Sequence, residues 1–347
     1  MRFPEFSGEW VSKTIGDIAP LQRGFDLPTG QINNGKFPVV YSNGIMNYHS
    51  SYKCVAPGLI TGRSGTIGKF TYIEDGYYWP HNTSLWVTDF YDNNPKFIYY
   101  LYQTIRIEQY STGSGVPTLN RNNVHRHKTF IPKLKEQNKI ATILSLLDER
   151  IATQTKIIED LKKLKSALSH ILFSSKCTNH FSYIADVVMG QSPSSNAYND
   201  QCIGMPLVQG NLDISNGKTT PRLYTAEFNQ TAEEGNIILT VRAPVGEVAK
   251  ATKKVCLGRG VCAIIPHEEN MSDFIYQYLT FYKFMWRRYE QGSTFTSING
   301  SDVRNILCPE VRNVSILTLL DEKISTEERT VKLYQLQKLY MLYQMFI

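Results

Sequence analysis

Stepping from Ile140 by alternating fours and threes, the chain presents Leu144, Leu147, Ile151, Gln154, Ile158, Leu161, Lys165, Leu168 and Leu172. Only Gln154 and Lys165 are polar, and no Gly or Pro interrupts the run after Pro132. Apolar positions repeating every 3.5 residues form the seam by which one helix packs on another. The pattern returns near the other end as Leu317, Leu320, Ile324, Glu327, Val331, Tyr334, Lys338, Met341 and Met345. Its polar interruptions, Glu327 and Lys338, fall where Gln154 and Lys165 fall in the first copy. Unrelated amphipathic helices would not share such interruptions, so the stretch is duplicated. Leu147-Asp148-Glu149-Arg150-Ile151 and Leu320-Asp321-Glu322-Lys323-Ile324 repeat nearly residue for residue, and the two stretches close on Phe173 and Phe346. Helix pairing is assigned to Leu147, Ile151, Ile158, Leu161 and Leu168 in the first copy, and to Leu320, Ile324, Val331, Tyr334 and Met341 in the second. Some 35 residues at about 1.5 Å each predict rods of roughly 50 Å.

Upstream of each helix, short or alternating apolar runs are split by Gly, Asn and Pro, the pattern of a mixed α/β domain with many short strands. These segments also align. Thr14-Ile15-Gly16-Asp17-Ile18 answers Tyr183-Ile184-Ala185-Asp186-Val187. Leu59-Ile60-Thr61-Gly62-Arg63 answers Ile238-Leu239-Thr240-Val241-Arg242, a buried-strand pattern ending in Arg. Tyr-rich helices are predicted from Phe97 to Tyr102 and from Phe274 to Leu279. Tyr110-Ser111-Thr112-Gly113-Ser114 answers Glu290-Gln291-Gly292-Ser293, and Asn120 to Val124 answers Asn299 to Val303, each leading into a strand that ends at Pro132 or Pro309. The predicted order is domain (1–138), long helix (139–176), domain (177–312), long helix (313–347), an α+β chain with pseudo-two-fold symmetry. A repeat of half the chain is too long for a solenoid, and two-fold symmetry suits a reader of a two-part DNA site. The middles of the halves diverge: Tyr41-Ser42-Asn43-Gly44 stands in the first, Gln191-Ser192-Pro193-Ser194 and Gln209-Gly210-Asn211-Leu212 in the second. One frame with different inserts fits two readers of different things.

Composition narrows this further. The 347 residues are 42% hydrophobic and 20% charged, enough for real cores, with a net charge of +6 that permits a nucleic-acid partner without demanding one. The start, Met1-Arg2-Phe3-Pro4-Glu5, has no apolar leader core, and no run of about 18 apolar residues could span a bilayer. The six cysteines form no Cys-x-x-Cys, and Cys256 and Cys262 read as small buried residues in strands. A reduced, cytoplasmic protein is expected.

Catalytic motifs are absent. Gly62-Arg63-Ser64-Gly65-Thr66-Ile67-Gly68-Lys69 resembles a P-loop but has one residue too many between Gly62 and Gly68, and Phe70 where Ser or Thr should bind magnesium. Strand–turn–strand is the better reading. His125-Arg126-His127 lacks a third metal ligand, so a surface or phosphate-backbone role is expected. Asp148-Glu149 and Asp321-Glu322 read as acids favoured by the positive ends of their helices. No nucleophile elbow, zinc motif or dinucleotide loop is found, so no catalytic or metal-binding residue is assigned. Loops instead carry Arg with Asn, Gln, Ser, Thr and Tyr. Arg suits guanine edges, Asn and Gln suit adenine edges, and hydroxyls suit phosphates. The candidates are Arg23, Asn43, Arg63, Asn82, Arg121, Asn123, Gln209, Asn211, Arg242 and Arg259.

Several segments together resemble the specificity subunits of type I restriction-modification systems. They are Gln22-Arg23-Gly24-Phe25-Asp26-Leu27-Pro28 with Tyr41-Ser42-Asn43-Gly44-Ile45, Tyr78-Trp79-Pro80-His81-Asn82-Thr83-Ser84-Leu85, and Ile131-Pro132 with Glu136-Gln137-Asn138-Lys139-Ile140. Gly190-Gln191-Ser192-Pro193-Ser194 is similar to the Gly-x-Thr-Pro-Ser turn of such domains and adds Ser192 to the candidates. The second long helix departs from the pattern, with Pro309-Glu310-Val311 in place of the Glu-Gln lead-in. The resemblance implies two target-recognition domains, each reading half of a split DNA site. It further implies long helices paired antiparallel as a spacer, and docking of two methyltransferase subunits. Those partners bind S-adenosylmethionine, and a motor-nuclease partner uses ATP and Mg; no cofactor belongs to this chain. A coiled-coil protein–protein adaptor, or a nuclease or methyltransferase fusion with its own catalytic site, are the alternatives.

Overall fold

The computed structural model describes residues 2–112, 115–177, 179–289 and 296–346. The chain forms two compact units, Met1–Thr155 with Arg329–Ile347, and Lys156–Glu328. We call them unit 1 and unit 2. The long helices, Leu134–Phe173 and Ser315–Met345, each contribute one part to each unit.

Unit 1 holds two four-stranded sheets. One is ordered Leu21–Arg23, Ser84–Val87, Gly58–Gly62, Phe70–Ile73, with antiparallel pairing throughout. The other is ordered Gly44–His49, Phe37–Tyr41, Tyr77–Pro80, Cys54–Val55, and its central pair runs parallel. Unit 2 repeats both. Ala185–Met189, Val261–Pro266, Ile237–Thr240 and Val248–Lys250 form the antiparallel set. Leu223–Thr225, Met205–Val208, Val255–Leu257 and Thr231–Ala232 form the second, again with a parallel central pair. Unit 2 then extends both sheets with short strands at Ile214–Ser215, Lys218–Thr219 and Tyr198–Asn199.

The strands Gly58–Gly62 and Ile237–Thr240 are buried along their whole length, which explains their unbroken apolar runs. Alternate side chains serve two cores. Leu59 joins Phe97, Ile98 and Leu144 on one face, while Ile60 joins Val40 and Tyr78 on the other. Ile237 and Leu239 likewise join Phe274 and Ile275, while Ile238 joins Val208 and Val255. The predicted Tyr-rich helices are present as Pro95–Thr104 and Ser272–Tyr282. Cys256 and Cys262 are buried in strands as expected.

The register corrects the sequence alignment by one residue. Arg63 N–H donates to Thr83 O and Val241 N–H to Gly260 O, both at 2.9 Å; Leu119 N–H donates to Arg63 O at 2.7 Å and Ile298 N–H to Val241 O at 2.9 Å. Val241 therefore stands where Arg63 stands, and Arg242 matches Ser64, which bridges Thr118 as Arg242 bridges Ser297. A one-residue shift turns a strand side chain to the opposite face. Of the aligned pair at Tyr110-to-Ser114 and Glu290-to-Ser293, Gly113, Ser114 and 290–293 lie outside the described residues.

Every seam position on the long helices is buried or half-buried. Within unit 1, Ile140 and Leu144 share a core with Leu342 and Met345, Lys338 Nζ lies 2.6 Å from Asp148, and Arg150 sits over Tyr334. Within unit 2, Lys165 Nζ lies 2.6 Å from Asp321, and Leu172 packs near Leu317. The shared lysine interruptions are thus matched ion pairs, each lysine only 17% exposed. Each aspartate has a second partner: Tyr100 Oη–H donates to Asp148 at 2.8 Å and Gln277 Nε2–H to Asp321 at 2.7 Å. This corrects the helix-end reading of these acids. Asp148 lies far inside a helix that begins at Leu134, and the terminal dipole fades beyond the first turn.

The Glu-Gln lead-in also gains a reason. Glu136, 2% exposed, accepts from Arg2 Nε and Nη2, both at 2.8 Å, and from Trp10 Nε1 at 3.3 Å. Gln137 accepts from Asn94 N–H at 2.9 Å and donates to Asn93 Oδ1 at 3.0 Å. The two side chains fasten the first residues and the 93–94 turn to the helix.

Candidate nucleic-acid interface

In unit 1, turns at one end of the paired sheets converge. Gly24 N–H donates to Ser84 O at 3.0 Å and His81 N–H to Val40 O at 2.9 Å. Thr83 O takes the Arg63 N–H, and Lys69 Nζ donates to Asn43 O at 2.6 Å. Two glycines allow this approach: a Cβ on Gly24 would lie 2.2 Å from His81 O, and one on Gly62 1.6 Å from Thr66 O. The segment 62–69 joins the strands Gly58–Gly62 and Phe70–Ile73 by a turn with Gly65 and Gly68 at positive φ, as the strand–turn–strand reading expected.

The convergence gathers Arg23, Asn43, Arg63 and Asn82. Arg121 and Asn123 follow close by, on the helix Arg121–His125, which starts two residues past Leu119 and is capped by the Asn120 side chain. Arg23 is paired with Asp26 at 2.9 Å, and the Asn82 amide nitrogen also donates to Asp26. The Tyr41 and His81 rings lie 4.2 Å apart between centroids, tilted by 34°. Burial pushes the His81 imidazole below its usual pKa, and its Nδ1 accepts the Thr83 N–H.

In unit 2 the equivalent turns enclose a cavity of about 520 Å³ lined by Ser192, Tyr198, Gln209, Arg242 and Arg259 among others. Four sequence candidates therefore meet around one hollow. Asn211 lies just outside, at the start of the turn Asn211–Asp213. Asp213, 4% exposed, holds that turn by accepting Gln209 N–H at 2.9 Å and Arg222 Nε–H at 3.0 Å. Arg259 N–H donates to Ser192 Oγ at 3.1 Å.

Hydrogen bonds set the two tips in correspondence. Gly190 N–H donates to Val261 O as Gly24 does to Ser84 O, and Gly258 N–H to Val208 O as His81 does to Val40 O. Asn82 thus corresponds to Arg259, Asp26 to Ser192, and Tyr41 to Gln209. Among the described residues, Arg63, Arg121, Arg242 and Arg259 have no acidic partner. They leave guanidinium donors available to an anion or a base edge.

His125 and His127 are not at this surface in the expected sense. His125 Nε2 accepts Leu21 N–H at 2.8 Å, and His127 Nδ1 meets Tyr110 Oη at 2.8 Å. Burial and neighbouring Arg121 push His125 below its usual pKa, and burial does the same to His127. Both are internal struts. No cluster of three His, Cys, Asp or Glu suited to a metal occurs among the described residues. Asp26, Lys69 and Tyr198 were missed in the sequence, because an isolated Asp, Lys or Tyr in a loop carries no signal until its turn is placed.

A model of the type I restriction modification DNA specificity domain matches twice, over residues 7–163 and 182–332. The MjaX specificity subunit of a type I restriction enzyme, from Methanocaldococcus jannaschii, is 31% identical over 214 residues, covering 55% of this chain and 50% of the relative. The EcoprrI type I specificity subunit of Escherichia coli is 24% identical over 172 residues, covering 48% of this chain and 42% of the relative. The chain thus aligns with about half the length of these curated relatives. A crystal structure of the type I restriction-modification S subunit from M. genitalium matches with a TM-score of 0.72 at 19% identity, covering 100% of this chain and 99% of that one. A chain from a study of type I R-M complex assembly matches with a TM-score of 0.60, also at 19% identity, covering 99% and 98%. At that identity these structures speak to the fold.

Proposed function

The chain belongs to the type I restriction modification DNA specificity family, and from that premise we propose that it is a non-catalytic DNA-recognition subunit in which each globular unit reads one half of a split site. The observation that carries this reading is the pair of matched tips with different side chains. Matched turns present Arg23, Asn43, Arg63 and Asn82 in unit 1, and Ser192, Gln209, Asn211, Arg242 and Arg259 in unit 2, with Arg121 and Asn123 added in unit 1 by the helix Arg121–His125. Shared turns give a shared approach to the duplex; different side chains give different half-sites.

The long helices are the spacer. They pair antiparallel along the seam residues, a reading supported by the Lys338–Asp148 and Lys165–Asp321 contacts within the separate units. Their length sets the unread base pairs between the half-sites. The recognition domains are assigned to 1–138 and 177–312, and the spacer to the long helices Leu134–Phe173 and Ser315–Met345. Apolar residues left exposed off the seam, among them Leu164, Ile171, Leu333, Leu336 and Tyr340, suit docking of two methyltransferase subunits. Those subunits supply S-adenosylmethionine chemistry, and motor-nuclease subunits act with ATP and Mg. No helix among the described residues is long and apolar enough to cross a membrane, in keeping with a cytoplasmic complex.

The test is the methylated-adenine motif in cells carrying the chain with its partner subunits. Arg242→Ala should relax one position of one half-site by about 1–3 kcal/mol of discrimination, and Arg63→Ala one position of the other. An unchanged motif in both variants defeats the assignment.

A further inference from the structure

In the unit 1 tip Asp26 sets a carboxylate beside Arg23, and its side chain is 67% exposed. A carboxylate there repels phosphates and stabilises no core. What it does is bond: it accepts from Arg23 Nη2 at 2.9 Å and from the Asn82 amide nitrogen. An ionised carboxylate has no proton to give, so only the NH2 side of Asn82 can face it. That fixes the amide orientation and leaves its carbonyl oxygen and second N–H unspent. An acceptor beside a donor is the pattern that takes up adenine N6–H and N7 in the major groove. At the corresponding place in unit 2, the Ser192 hydroxyl accepts the Arg259 backbone N–H. Among the described residues the Arg259 guanidinium has no acidic partner, and a guanidinium matches guanine O6 and N7.

We propose that Asp26 is a positioning residue for base selection. By holding the Asn82 amide in one orientation it makes unit 1 select adenine at one position of its half-site, where the Ser192–Arg259 arrangement makes unit 2 select guanine. The proposal rests on the half-site reading above. Its test measures binding of the assembled complex to a panel of duplexes substituted singly at every position of both half-sites. Asn82→Ala should cut discrimination for adenine at one position roughly tenfold, within the range a bidentate contact provides. Asp26→Ala should cut it at the same position, the double variant should lose no more than Asn82→Ala alone, and Asp26→Asn, which keeps an acceptor oxygen, should retain most of it. Unchanged discrimination at the other positions of the unit 1 half-site certifies that each variant is folded. The proposal is overturned if Asp26→Ala leaves discrimination intact, or if the two single variants act at different positions or multiply. If Arg242→Ala relaxes its own position while Asp26→Ala changes nothing, only the Asp26 role fails. If no tip substitution alters either half-site, the half-site reading itself fails.

Discussion

Replacing Lys165 by Met isolates what the matched seam pairs contribute. Lys165 Nζ lies 2.6 and 2.7 Å from the two Asp321 oxygens, and the lysine is 17% and the aspartate 38% exposed. Unit charges roughly 3 Å apart attract by about 5–6 kcal/mol at an effective dielectric near 20, and by about 1.4 kcal/mol in bulk water. The exposure of Asp321 moves the pair toward the solvated limit, and desolvation of the lysine offsets part of what remains. A coupling of about 1–2 kcal/mol results. Lys165→Met leaves the carboxylate with the Gln277 hydrogen bond and should destabilise unit 2 by about 1–3 kcal/mol, or roughly 2–12 °C in Tm at this size. Chemical denaturation of the wild type, Lys165→Met, Asp321→Ala and the double variant closes the cycle. The Lys338–Asp148 pair, backed by Tyr100, should give a comparable coupling in unit 1. A coupling within about 0.3 kcal/mol of zero, the level at which independent sites add, would refute the seam-lock reasoning.

Acid should weaken unit 1. His81, His125 and His127 are all shifted downward by burial, so the folded unit resists protons that the unfolded chain takes up near pH 6.5. Its stability should be intact above that pH and fall as the pH drops through the lower folded values; flat denaturation midpoints from pH 7.5 to 5 would contradict this. Gly62→Ala should cost more than about 3 kcal/mol, since its Cβ would sit 1.6 Å from Thr66 O, and thermal melts should show the loss confined to unit 1. Inserting one heptad into each long helix, after Thr155 and after Glu328, adds about 10 Å. The methylation motif should then gain about three spacer base pairs with both half-sites unchanged.

What could be read from the sequence followed periodicity. The seam at Leu147, Ile158 and Leu320 was legible because helical spacing declares itself over many turns. The polar interruptions were legible as a shared oddity, but Asp321 as the partner of Lys165 was not, since the two are far apart in the chain. The terminal Arg of two similar strands suggested a match that strand register overrules: Arg63 shares its place with Val241, and a slip of one residue is invisible in a short apolar run. His125 looked like a surface residue because its acceptor role depends on Leu21, about a hundred residues earlier. The tips were legible as Arg- and Asn-rich loops. That Ser192, Gln209, Arg242 and Arg259 surround one cavity required the parallel pairing of Met205–Val208 with Val255–Leu257, which no local pattern announces.

The most direct measurement exchanges residues 177–312 for the matching segment of a relative with a different motif and sequences methylated adenines in cells carrying the chimera and its partner subunits. One half of the motif should change to the donor's, with the other half and the spacer retained. A motif that changes in both halves, or in neither, would contradict the assignment of one half-site to each unit.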